Sequence, residues 1–158
     1  MNINPRFVDL PPLLIAGMRE LLSEDSMETI SLLWEKFVPY INHIPHQKNA
    51  AAYGLCVRSS ESNGGGFYYM AGCEVNEFTD LPSELSPLIV PANKYAVFAH
   101  EAHVSEIRST IDYAFDRWLP SSGYKHKSQL VHFFEYYAED FDPIQAIGGM
   151  EIWLPLES

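Results

Sequence analysis

The residues best suited to chemistry lie in VHFFEYYAED, positions 131 to 140. One carboxylate, Glu135, stands between two aromatic pairs, Phe133 with Phe134 and Tyr136 with Tyr137. Side chains alternate along a strand, so Phe133, Glu135 and Tyr137 share one face while Phe134 and Tyr136 share the other. A strand that is aromatic on both faces is expected to be covered on both, which would hold the carboxylate in a low-dielectric, aromatic-walled space. An ionised carboxylate without a partner is costly there, and its pKa rises. Three arrangements relieve the cost: an internal basic or hydrogen-bonding partner, a protonated resting state, or a cation brought in by a ligand. Lys and Arg together number only 10, and aromatic faces add about 0.5 to 2 kcal/mol of cation–π attraction each, so an organic cation suits this chemistry. The alternative is a strand with a solvent face on which Glu135 is an ordinary exposed acid.

The closing strand MEIWLPL repeats the pattern in weaker form, with Glu151 and Trp153 on one face and Met150, Ile152 and Leu154 on the other. Glu151 could join the site or lie on an exposed face. Trp34 is first a core residue of a helix and second a candidate wall. The ligand-binding candidates are therefore Glu135, Tyr137, Phe133, Trp34, Trp153 and Glu151. Other motifs fall short of their chemistry. HEAH at 100 to 103 brings its second histidine one residue too early for the HExxH zinc motif, and INHIPH offers His43 and His46 without a third ligand nearby. GGG at 64 to 66 lacks the GK[ST] ending of a phosphate loop, and no GxSxG elbow occurs. No metal and no cofactor are expected. Cys56 and Cys73 form no CxxC and read as buried, reduced thiols, although a single disulfide between them stays open.

The elements that must position these residues can be read from periodicity and breakers. FVDLPPLLIAGMREL, 7 to 21, predicts a strand bent at Pro11 and Pro12. Asp25 and Glu28 have the form of a capping box before a helix carrying Met27, Ile30, Trp34, Phe37, Val38 and Ile41 on its apolar face and ending near Pro39 to Pro45. AAYGLCVRS and GFYYMAGCEV predict a hairpin turned by ESNGGG. LIVPANKYAVFAHEA then predicts a strand, and VSEIRSTIDYAFDRWL a second helix stopped by Pro120 and Gly123. LVHFFEYYAED and MEIWLPL close the chain as strands, with the loop DFDPIQAIGG between them.

Strand, helix, strand, strand thus occurs twice. Leu10, Pro11 and Ala16 match Val90, Pro91 and Ala96 at an offset of 80, and Trp34 and Trp118 hold similar places in the two helices. Cys73, Glu74 and Val75 match Met150, Glu151 and Ile152 at an offset of 77. The predicted fold is α+β: a duplicated module with a pseudo-twofold axis, an antiparallel sheet and two main helices. One domain is expected over 1–158, with halves at about 1–78 and 79–158, and a ligand site is expected where the halves meet.

With 21 Asp plus Glu against 10 Lys plus Arg, the net charge is −11, a field that repels phosphate backbones and attracts cations. Direct nucleic-acid binding by this chain alone is not expected. MNINPRFVDL lacks the basic start and apolar run of a signal peptide, and no segment is long and apolar enough to span a bilayer, so the expectation is a cytoplasmic protein with no membrane partner.

YYMAGCEV, LPSELSPLIVPANKYAVFAHEA, the helix ending in DRWLPSSGY, FFEYYAEDFDP and MEIWLPL, taken in order, resemble the effector-binding domain of AraC-type regulators and the related gyrase-inhibitory proteins, most closely over residues 68 to 155. The chain is also similar to stand-alone members carried on integron cassettes that bind cationic drugs. The resemblance implies the duplicated fold, a pocket at the junction of the halves, and a glutamate matching Glu135, with Tyr137, that receives lipophilic cations against aromatic walls. Regulators of that family carry a helix-turn-helix domain for which these residues have no counterpart, so promoter binding is not implied. Three functions follow as expectations. The first is a binding module for hydrophobic organic cations. The second is a hydrolase using the same glutamate as general acid or base. The third is an inhibitor or modulator of a larger protein partner, such as a topoisomerase or a transcription regulator.

Overall fold

The computed structural model describes residues 4–22, 26–58, 66–127, 129–141 and 148–157. Asp25 of the expected capping box, most of the ESNGGG turn and the middle of the 140–149 loop lie outside them. Each long N-terminal strand of the two modules is cut in two where proline removes a ladder donor. β1 (Arg6–Leu10) and β2 (Leu13–Leu21) flank Pro11 and Pro12, and β5 (Ser86–Val90) and β6 (Asn93–His100) flank Pro91. The cut is larger than the expected bend, because β1 pairs with β6 while β5 pairs with β2. Each module therefore lends its first strand to the other.

With α1 (Ser26–Phe37), β3 (Ala52–Arg58), β4 (Phe67–Glu74), β7 (Val131–Tyr137) and β8 (Met150–Leu156), the chain builds one antiparallel sheet in the order β1-β6-β8-β7-β3-β4-β2-β5. Exchanging β1 to β4 with β5 to β8 and reading backwards returns the same order, which is the expected pseudo-twofold symmetry. The axis falls between β3 and β7, whose central partners are Gly54 and Glu135. The register corrects one part of the repeat. Ala16 pairs with Cys73 and its counterpart Ala96 pairs with Leu154, so Cys73 corresponds to Leu154 rather than to Met150.

The second helix is composite. α2 (Ile107–Asp112) runs into a π-helical turn over Tyr113–Trp118, in which the Leu119 N–H reaches back five residues to the Ala114 carbonyl, and then into α3 (Leu119–Ser122). Pro120 lies inside this last turn instead of ending the helix. Its ring crowds the carbonyl one turn earlier, and the wider π spacing takes up the crowding. Gly123, at φ +81°, makes the stop. In α1, Val38 follows the last helical residue and is 55% exposed, so it leaves the apolar face on which its spacing put it, and Leu33 and Phe37 carry the burial.

Both faces of the sheet bury apolar side chains. One face buries Leu13, Ile15, Leu55, Met70, Val97, Phe134 and Trp153, drawn from both modules. The other is covered by α1 over Ala16, Ala71 and Cys73, and by the second helix over Ala96, Phe98 and Leu154. Small residues under the helices let them approach the strands closely. Cys56 and Cys73 are both buried and unpaired, and burial pushes each thiol up to about 12. Among the described residues, no helix is long and apolar enough to cross a membrane.

Candidate functional site

Pairing fixes the phase of β7. Cys56 pairs with Phe133 and Val57 with Val131, so His132 is a bulge residue without a partner on β3. Val131, Phe134 and Tyr136 consequently pack with one face, while Phe133, Glu135 and Tyr137 turn to the helix face. Glu135 sits on the pseudo-twofold axis between the α1 cluster, which includes Tyr137, and the second-helix cluster, which includes Phe133. It is 8% exposed, so the solvent-facing alternative does not hold.

Two phenols meet this carboxylate on one oxygen. Tyr69 Oη donates to Glu135 Oε1 at 2.6 Å, Tyr137 Oη donates to the same atom at 3.0 Å, and Trp34 Nε1 donates to Tyr69 Oη at 3.1 Å. No hydrogen bond reaches Oε2 among the described residues. No Lys, Arg or His nitrogen stands within ion-pair distance of Glu135 among them either. Burial raises the Glu135 pKa, and the Tyr69 and Tyr137 hydrogen bonds act against that rise without cancelling it. Burial and the negative field of Glu135 push both phenols upward, so they remain donors. Trp34 stands edge-on to Tyr69 at 6.5 Å and to Tyr137 at 5.5 Å.

Gly54 makes the room. A Cβ there would collide with the Tyr69 hydroxyl and stand 2.6 Å from Glu135 Oε1. One module contributes the acid and the other the space for it, at corresponding positions on the axis.

Of the six candidates, Glu135, Tyr137 and Trp34 are in mutual contact or share Tyr69 as a neighbour. Phe133 is on the same face but packs against Phe115 at 5.7 Å, under the second helix. Glu151 and Trp153 are elsewhere: Glu135 pairs with Ile152, which leaves the 151 and 153 side chains on the opposite face, where Trp153 stacks on Phe134. Tyr69 is the site residue that spacing along the chain did not reveal. Its signal was the tyrosine-rich start of β4, which alternation places over Cys56 once the hairpin register is known.

The HEAH histidines hold local structure. His100 Nε2 donates to the His103 carbonyl at 2.8 Å, which leaves Nδ1 to accept from Thr110 Oγ1 at 2.7 Å. Among the described residues no group of three or more His, Cys, Asp or Glu could hold a metal ion.

Comparison with known proteins agrees with this architecture. Residues 3–157 match the family model of the GyrI-like small molecule binding domain. The chain is 30% identical over 157 residues to the transcriptional regulator BrlR of Pseudomonas aeruginosa, covering 98% of this chain and 56% of that protein, so it spans little more than half the length of this relative. Among solved structures it is similar to SAV2435 bound to tetraphenylphosphonium, with a TM-score of 0.79 at 18% identity, covering 98% of this chain and 94% of the other. It is also similar to integron cassette protein VCH_CASS2 from the mobile metagenome of Vibrio cholerae, with a TM-score of 0.65 at 18% identity, covering 99% and 100%. At such identities the last two show the fold.

Proposed function

This chain belongs to the GyrI-like small molecule binding domain family, and from its central site we propose that it binds hydrophobic organic cations, with Glu135 as the charge partner. The observation that carries this reading is a buried carboxylate held by two neutral phenols and no basic side chain among the described residues. The phenols orient Oε1 and leave Oε2 as the acceptor for positive charge. Tyr69, Tyr137 and Trp34 supply aromatic surface, whose π faces attract a cation most strongly when water is excluded. Apolar burial drives association, and one ion pair in a dry site selects for charge. Because Trp34 packs edge-on against both tyrosines and bonds to the Tyr69 hydroxyl, contact of a ligand with their faces requires the indole to part from them. The tetraphenylphosphonium held by SAV2435 is a ligand of this chemical class. A chain similar to just over half of a transcriptional regulator also fits the role of the ligand-sensing part of a regulatory system, with a protein partner as its reader.

The test is a fluorescence titration of the wild type and of Glu135→Gln with tetraphenylphosphonium and with neutral triphenylphosphine oxide. The wild type should prefer the cation, and Glu135→Gln should lose about tenfold or more of that affinity, the equivalent of about 1.4 kcal/mol, while binding the neutral compound unchanged. Equal binding of the two compounds by the wild type, or full affinity for the cation in Glu135→Gln, would refute the charge-partner role.

A further inference from the structure

Glu151 and Trp153, absent from the central site, form a second constellation on the opposite face. Arg6, Val97 and Trp153 lie in one row across β1, β6 and β8. The Arg6 guanidinium donates to Glu151 Oε2 at 2.6 Å and stands 5.8 Å from the centroid of the Trp153 ring. Trp153 Nε1 donates to Glu151 Oε1 at 3.1 Å, so one carboxylate is aimed by an indole and occupied by a guanidinium. Tyr136, the register partner of Glu151, adds a second ring 6.5 Å from Trp153. The Tyr136 phenol is pushed upward by burial and by the fields of Glu151, Glu139, Asp140 and Glu74, which mark this end of the face as strongly negative.

The fold does not require this corner. The pseudo-twofold counterparts of Arg6, Glu151 and Trp153 are Ser86, Met70 and Gly72, with neither charge nor ring, and the sheet closes there equally well. Arg6 belongs to an edge strand and its side chain is 55% exposed, against 18% for Glu151. The less exposed member is the acceptor and the more exposed member is the cation, the arrangement of a built site with a displaceable occupant.

We propose that Glu151, Trp153 and Tyr136 form a second binding site, selective for guanidinium and amidinium groups, in which the chain's own Arg6 stands in for the ligand. Planar recognition follows from carboxylate pairing at the edge of the cation and ring contact with its face. The tethered Arg6 competes at an effective concentration of order millimolar, so free guanidinium compounds bind poorly until it is removed or displaced.

The experiment follows the Trp153 indole resonance, assigned by its loss in Trp153→Phe, while agmatine, benzamidine and neutral benzamide are titrated into the wild type, Arg6→Ala, Arg6→Gln and Arg6→Ala/Glu151→Gln. Both Arg6 variants should bind the two cations about tenfold more tightly than the wild type, by removal of the tethered competitor. Benzamide should not bind, and the double variant should lose the cations. Retention of these shifts on adding Glu135→Gln to Arg6→Ala supports a site separate from the central one. Equal affinities in the wild type and both Arg6 variants would overturn the proposal, as would cation binding that survives loss of Glu151 or disappears with Glu135.

Discussion

Replacing Gly54 by alanine perturbs the central site at its tightest point. The added methyl collides with the Tyr69 hydroxyl and lies 2.6 Å from Glu135 Oε1, and Tyr69 is only 4% exposed, with Trp34 bonded to its oxygen. Neither ring can move without disturbing the other. Overpacking a filled site costs about 1 to 3 kcal/mol. Breaking the hydrogen bond from Tyr69 to a charged acceptor adds about 1.5 to 3 kcal/mol. The less flexible unfolded chain of the alanine variant returns about 0.4 to 1 kcal/mol. Gly54→Ala should therefore lower stability by about 2 to 5 kcal/mol. Urea denaturation measures this, and an unchanged m-value would show that stability has changed without a change in the surface exposed on unfolding. The origin is separable: in a Tyr69→Phe background the hydroxyl and its hydrogen bond are gone, and Gly54→Ala should cost about 1.5 to 3 kcal/mol less than it does in the wild type. A neutral or stabilising Gly54→Ala, or a cost unchanged in the Tyr69→Phe background, would refute the view that this glycine exists to make room for the tyrosine and the carboxylate.

Glu135 has a folded-state pKa above its ordinary value of 4.5, so the folded protein holds this proton more tightly than the unfolded chain does. Its contribution to stability is full below the unfolded value and is lost as pH rises through the folded one. Wild type and Glu135→Gln should thus be most alike in acid, and Gln should become the more stable as pH rises; thermal melts across pH giving the reverse trend would contradict this sign. The same shift couples ligand and proton: a bound cation favours the carboxylate, so affinity for tetraphenylphosphonium should rise with pH and binding should release a proton. Calorimetry in buffers of different ionisation heat measures that proton, and a pH-independent affinity would take Glu135 out of the charge-partner role. Cys56 and Cys73, pushed to about 12 by burial, should resist thiol reagents at pH 8 until the protein is unfolded. Rapid labelling of either in the native state would show that the helix layers open readily.

Much of this architecture was legible because it is written in local terms. Strand alternation alone joins Phe133, Glu135 and Tyr137, and the doubled Pro-flanked strands expose the repeat. Local terms misjudge helix ends when strain is shared over a turn. Pro120 reads as a stop, yet a π turn over Tyr113–Trp118 carries the helix past it to Gly123. The strand exchange at Pro11 and Pro91 was also invisible, since a proline announces a break without saying which sheet edge receives the next segment.

By itself the sequence determined that Glu135 would share a face with Phe133 and Tyr137, that few cations were at hand to neutralise it, and that the strand, helix, strand, strand module occurs twice. Those facts depend on strand periodicity, composition and internal repetition. Only the tertiary structure decided what reaches the acid. Tyr69 arrives from 66 residues away, through the hairpin and the β3–β7 pairing, to supply the shorter of the two hydrogen bonds. Inter-strand register likewise parted the two glutamates: Glu135 pairs with Ile152, so Glu151 and Trp153 turn to the other face, and a slip of one residue would have brought them to the central site. Alternation assigns faces within a strand, but the relation between the faces of different strands is set by pairing and by bulges such as His132, which are properties of the assembled sheet.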